Sequence, residues 1–243
     1  MRPHFCHCLV AGLFLMLLSL ATSQPASATI VFDDHFDGES GGIPEGWSRF
    51  PGSGDGAIIE SGTTVNMYDD CAMIPDQVVD PSAGVTTLTV EITATNERTE
   101  VMFLDSTDIW NHLFVKLWAQ DGQEGDPGRI DISACVAGGQ EERYLFYAPG
   151  YVGGATRLTI VLDEATFSIS LSAPPFSTGP LRYDEFFTNF TRTALGSAVW
   201  LALGNENHGF SSFSSYDRIT MDVASPTPVE ATSWTRVKAL FHR

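Results

Sequence analysis

The chain has 243 residues, 43% of them hydrophobic and 11% aromatic, which fills a sizeable core and excludes a disordered chain. Its 13 Lys and Arg stand against 30 Asp and Glu, a formal net charge of −17. Such a chain has no basic face to displace counterions from phosphates, so nucleic acid is excluded as a partner.

Residues 1–28 have the grammar of a secretory signal peptide. Arg2 and His4 precede an apolar run from Leu9 to Leu20, and Ala26-Ser27-Ala28 is a small-x-small cleavage site. The run is short for a membrane span and no second one follows. The expectation is therefore a secreted, periplasmic or extracellular protein with no transmembrane span in its mature part. Cys6 and Cys8 leave with the signal. Cys71 and Cys135 remain as an even pair in an oxidising compartment, and a disulfide between them is expected, closing a loop of 135 − 71 = 64 residues. Loop-closure entropy would make it worth about 4 kcal/mol.

Beyond the signal, strand patterns dominate. Leu88, Val90, Ile92 and Ala94 alternate with polar residues, and Leu113, Val115 and Leu117 alternate with Phe114, Lys116 and Trp118. Period-two runs recur at Ile130–Val136, Leu158–Leu162, Phe167–Leu171, Val199–Leu203 and Ile219–Val223. Between them lie Gly-, Pro-, Asn- and Asp-rich loops at 37–46, 52–56, 121–128, 150–154 and 174–180. A helical turn or two is expected at Asp184–Arg192, with an aromatic cap on the sandwich as the other reading of that stretch. Many short antiparallel strands argue for one all-β, two-sheet jelly-roll sandwich over residues 29–223. Residues 224–230 read as a linker with two prolines. Residues 231–243 read as a basic amphipathic tail, with Trp234, Val237 and Phe241 on one helical face. Arg236, Lys238 and Arg243 give this tail +3, whereas residues 29–225 hold 9 basic and 29 acidic residues, or −20.

The stretches Ile30-Val-Phe-Asp-Asp-His-Phe-Asp-Gly38 and Ile43-Pro-Glu-Gly-Trp47, the pair Arg157–Asp163 and Phe167–Leu171, and the closing runs Ala198–Asn205 and Tyr216–Val223 resemble the concanavalin A-like lectin/glucanase superfamily. That superfamily includes laminin-G-like domains and secreted sugar-binding jelly rolls. The resemblance implies a concanavalin A-like sandwich whose last strand lies beside its first. It also shows a departure: the Glu-x-Asp-x-x-Glu run that carries catalysis in the glycoside hydrolases of this fold is missing.

The other chemistries have little support. The neighbouring acids Asp163-Glu164, Glu141-Glu142 and Asp184-Glu185 would point to opposite faces of a strand and cannot share a catalytic site. No zinc-like histidine spacing occurs. The resemblance makes a structural calcium plausible, with Asp33, Asp34, Asp37 and Asp217 as oxygen ligands and Asp121–Asp126 as a further acidic loop. Carbohydrate recognition needs aromatic faces for sugar rings and polar groups for hydroxyls. Phe114, Trp118 and Trp200 supply the first, and Asn205, Asn207 and His208 the second. The sequence thus points to a non-catalytic carbohydrate-binding or extracellular ligand-binding module. The alternatives are a polysaccharide-active glycoside hydrolase of the same fold and a structural or adhesion module of the cell envelope.

Overall fold

The computed structural model describes residues 28–81, 84–119, 128–207 and 211–224. The signal peptide apart from Ala28, the tail, the linker beyond Ala224, the loop Asp121–Asp126 and His208 all lie outside these residues.

Among the described residues, sixteen strands, numbered along the chain, form two antiparallel sheets. The first sheet runs β13 (Pro175–Ser177), β12 (Thr166–Ser172), β11 (Thr156–Leu162), β6 (Val85–Thr95), β16 (Phe213–Ala224), β4 (Thr64–Tyr68) and β3 (Ile58–Ser61). To it are added β1 (Ala28–Asp34), beside the C-terminal half of β16, and β14 (Leu181–Arg182), beside β12. The second sheet runs β10 (Glu142–Tyr147), β9 (Arg129–Cys135), β8 (His112–Trp118), β7 (Arg98–Asp105), β15 (Val199–Glu206), β5 (Cys71–Pro75) and β2 (Trp47–Arg49). The first and last strands are neighbours as expected, in register from Ala28↔Ala224 to Asp34↔Ile219.

One core fills the space between the sheets. Alternate residues of β6 (Leu88, Val90, Ile92), β11 (Leu158, Ile160, Leu162) and β16 (Ile219, Met221, Val223) meet Val101 and Phe103 of β7, Leu113, Val115 and Leu117 of β8, and Leu201 and Leu203 of β15. Burial of such apolar surface, at about 25 cal/mol per Å², holds the sheets face to face. The stretch expected as a helical turn divides into a single turn, α1 (Tyr183–Phe186), and a 3₁₀ turn at Arg192–Leu195. Its aromatics do form a cap. Tyr183, Phe187 and Phe190 are buried, and Tyr183 and Phe187 lie 5.2 and 5.7 Å from Phe167.

The expected disulfide is absent. Cys71 and Cys135 are free, buried thiols. They belong to β5 and β9, four strand steps apart in the second sheet. At about 4.8 Å per step that is roughly 19 Å, far beyond the ~7 Å between Cα atoms that a disulfide spans. Each thiol is packed locally: Cys71 Sγ donates to Tyr68 O at 3.5 Å and Cys135 Sγ to Gly139 O at 3.3 Å. Burial pushes the Cys71 thiol up to about 11, so it is not a reactive thiolate at neutral pH. Thiol titration of the denatured chain is therefore expected to give the same count for this pair with and without reductant. A pair that appears only after reduction would contradict the structure.

Candidate functional site

The second sheet has an open face, turned away from the first sheet, and strand register sets what lies on it. Pairings across β10, β9, β8, β7 and β15 align Tyr147, Arg129, Trp118, Arg98 and Glu206 in one row. The next row is Leu145, Asp131, Lys116, Glu100 and Gly204, continued by Ala72 of β5. The third is Arg143, Ser133, Phe114, Met102 and Ala202, and a fourth aligns Cys135, His112, Leu104 and Trp200. The face is thus split: two ionic rows lie beside two largely apolar ones.

The apolar half is a second small core. Ala72, Ile74, Met102, Leu104 and Ala202 are buried there, with Phe50, Phe114 and Trp200 half-buried over them. Phe114 is steadied by His112, whose ring stacks on it at 4.2 Å and 20°. A groove of about 380 Å³ opens where this apolar surface meets the ionic half. Phe50, Met102 and Phe114 line one side, Ser53, Gly54, Asp70 and Asn207 form a polar wall, and Glu100, Lys116 and Glu206 close the third side.

The ionic half is a lattice. Lys116 Nζ lies 2.6 Å from Glu100 Oε1 and 2.8 Å from Glu206 Oε2, and Arg98 reaches Glu206 Oε1 at 3.0 Å. Arg129 lies 3.4 Å from Asp131, to which Arg143 also donates. Burial pushes the Glu100 carboxyl up against the pull of Lys116. Burial works on Glu206 in the same sense, but its hydrogen bond to Lys116 and the charges of Lys116 and Arg98 prevail and hold it down to about 2. The two acids are therefore shifted in opposite directions although they share one ammonium group.

Gly204 makes this packing possible. A Cβ there would sit 2.9 Å from Met102 Cε and 3.0 Å from Glu100 Oε2. Gly204→Ala is expected to cost about 1–3 kcal/mol by displacing both side chains, read as a fall in melting midpoint. An unchanged midpoint would mean that Glu100 is not pressed onto this strand.

The structure gathers some of the expected site residues and disperses others. Phe114 and Asn207 line the groove, and Trp200 packs half-buried on the apolar cluster beside it without lining it. Asn207 is fixed there by its backbone N–H, which donates to Asp70 Oδ1 at 2.5 Å. Trp118 is corrected as a stacking platform. The Arg98 and Arg129 guanidinium groups cover its ring at 3.3 and 3.6 Å from the centroid, so a sugar would have to displace a cation. Asn205 also borders the groove, but its side chain is committed elsewhere. It continues the inward phase of Leu201 and Leu203, is 2% exposed, and has its side-chain amide inside the sandwich. That amide donates to Asp69 O at 2.7 Å and Ser212 Oγ at 2.8 Å, and accepts from Ser214 Oγ at 2.8 Å.

The acids expected to bind calcium have other partners. Arg218 grips Asp33 with two bonds of 2.8 Å and holds its carboxyl below the ordinary range. Asp34 accepts from Trp47 Nε1 at 2.7 Å and from Phe36 N–H at 2.8 Å. Asp37 is exposed and Asp217 half-buried. Among the described residues no group of three or more His, Cys, Asp or Glu is placed to hold a metal ion. Among the described residues, no helix is long and apolar enough to cross a membrane.

No protein-family model matches the chain, and no curated protein matches it. Solved structures do. β-Agarase A from Zobellia galactanivorans has 10% identity and a TM-score of 0.62, over 81% of this chain and 92% of that one. The laminarinase catalytic domain from Thermotoga maritima has 11% identity and a TM-score of 0.58, over 82% and 100%. An immunostimulatory antigen and pseudo β-1,3-glucanase of Mycobacterium tuberculosis has 13% identity and a TM-score of 0.53, over 81% and 99%. At these identities the likeness is one of fold, and the fold is the concanavalin A-like jelly roll.

Proposed function

We propose that this jelly roll binds a polysaccharide on the open face of its second sheet without cleaving it. The observation that carries the reading is the split groove: an apolar floor at Phe50, Met102 and Phe114 faces a polar wall and an ionic lattice. A sugar ring has the matching asymmetry, with a C–H face for aromatic surface and hydroxyls for planar charged groups. The agarase and laminarinase likenesses support a saccharide as the ligand class.

One observation favours hydrolysis as a second reading. Glu100 is pushed up and Glu206 down to about 2, a division of labour that an acid and a nucleophile would use. Against it stand two contacts: the Lys116 ammonium pairs with both carboxyls, and the two carboxyls hydrogen-bond each other, which leaves no room for a scissile bond between them. Incubation with laminarin and agarose is expected to release no reducing ends above the level of buffer alone. Release that Glu206→Gln abolishes would replace binding with hydrolysis.

A further inference from the structure

Strand β10 is an edge strand of the second sheet, and its open-face residues Arg143, Leu145 and Tyr147 carry the ionic half of the face outward beyond Lys116. Their depths differ sharply from that of the acid beneath them. Arg143 is 54% exposed in its side chain, Leu145 42% and Tyr147 61%, whereas Asp131 is 1% exposed. The anion is the floor of this end and the guanidinium is its surface. A guanidinium carries five N–H donors in a planar fork. The contact with Asp131 leaves the outer side of the Arg143 fork turned to solvent, on the same face as the exposed Tyr147 ring and separated from it along the strand by Leu145.

Nearby acids do not cancel this arrangement. Glu142 is occupied by the backbone N–H groups of Thr188 at 2.5 Å and Asn189 at 3.1 Å. Glu141 acts on Arg143 as an exposed charge and is screened by water. Four of the nine Lys and Arg residues between positions 29 and 224 stand on this one face: Arg98, Lys116, Arg129 and Arg143. Three acids of the same face, Glu100, Asp131 and Glu206, stand among them. At the other end Glu100 and Glu206 offset Lys116 and Arg98, whereas at the β10 end Arg129 and Arg143 share the single carboxylate of Asp131, so the local excess of positive charge lies with the exposed Arg143.

We infer that the β10 end of the face is a subsite for an anionic substituent, a carboxylate or sulfate carried by an acidic polysaccharide. The substituent is held by Arg143 while a further sugar ring of the same polymer lies against Tyr147. This inference rests on the proposed polysaccharide-binding function and narrows its ligand class.

The test is equilibrium binding of the full chain to polygalacturonate, a sulfated galactan, agarose and laminarin at matched chain length. At least one of the two acidic polymers is expected to bind about tenfold or more tightly than the neutral ones, and which one does so separates carboxylate from sulfate. Arg143→Gln is expected to lower that ratio about tenfold, with an unchanged far-UV spectrum showing that the fold persists. Tyr147→Ala, at an exposed position, is expected to weaken the acidic polymer by threefold or more. Equal or tighter binding of the neutral polymers overturns the inference while leaving polysaccharide binding intact. So does a preference that survives both substitutions. No binding to any of the four overturns the underlying function as well.

Discussion

Lys116→Met is expected to lower the melting midpoint at pH 7 by roughly 6–12 °C. Lys116 lies 2.6 Å from Glu100 and 2.8 Å from Glu206, and its side chain is only 21% exposed. Removing one partner of a buried ion pair costs about 3–5 kcal/mol, and the partial exposure here argues for the lower end. For a domain of this size each kcal/mol moves the midpoint by about 2–4 °C. The loss must also depend on pH. The Glu206 carboxyl is lowered from 4.5 to about 2, so its contribution is complete above 4.5 and disappears as the pH falls from 4.5 towards 2. Glu100 is shifted the other way: its burial favours the protonated form, so its ionisation weighs against the fold as the pH rises. In the variant Glu206 loses its main partner and the acid limb should flatten. Thermal melts of both proteins between pH 2 and 7 measure this. Parallel curves would show that Lys116 does not hold the face together.

Asn205→Ala is expected to destabilise the protein by about 3 kcal/mol, because it leaves Asp69 O, Ser212 Oγ and Ser214 Oγ short of a partner inside the sandwich. The network reaches further. Ser214 Oγ also pairs with Thr95 Oγ1 at 3.0 Å and Thr99 Oγ1 at 2.9 Å, and Tyr216 OH donates to the Gly204 carbonyl at 2.6 Å. Asn205 therefore ties β15 to β16 across the core at the end of the sheet that carries Glu206. A denaturant titration separates this role from ligand contact. A fall in midpoint with ligand affinity retained in the folded protein fits a structural residue. Unchanged stability with lost affinity would return Asn205 to the binding surface.

The strands that can be read from the sequence are those with one wet face. β6, β11, β12 and β16 alternate because their outward residues are Thr, Ser, Asp and Arg, and β8 and β9 alternate in part. β7 escapes this pattern. Val101 and Phe103 face the main core while Met102 and Leu104 face the smaller apolar cluster, so the stretch is apolar on both sides. β5 is likewise buried throughout. These two strands carry Ala72, Arg98, Glu100 and Met102, so much of the site was hidden with them.

Glu100 and Glu206 meet because β7 and β15 are neighbours, which no spacing between residues so far apart announces. The covering of Trp118 is equally a matter of register, since Arg98 and Arg129 come from the strands on either side of it. Asn205 was within reach of the sequence. Extending the inward phase of Leu201 and Leu203 by two residues places it in the core, provided the strand is taken past Gly204. The disulfide was not within reach, because an even cysteine count carries no information about which strands lie between the two thiols.

On the proposed reading a polysaccharide binds the open face of the second sheet, at the groove beside Phe114. A polysaccharide array probed with the full chain, with Phe114→Ala and with Trp200→Ala tests it most directly. Saturable binding of the natural sequence, weakened about tenfold or more in both variants while their folds persist, is the predicted result. Binding that neither substitution changes, or no binding to any polysaccharide on the array, would contradict it.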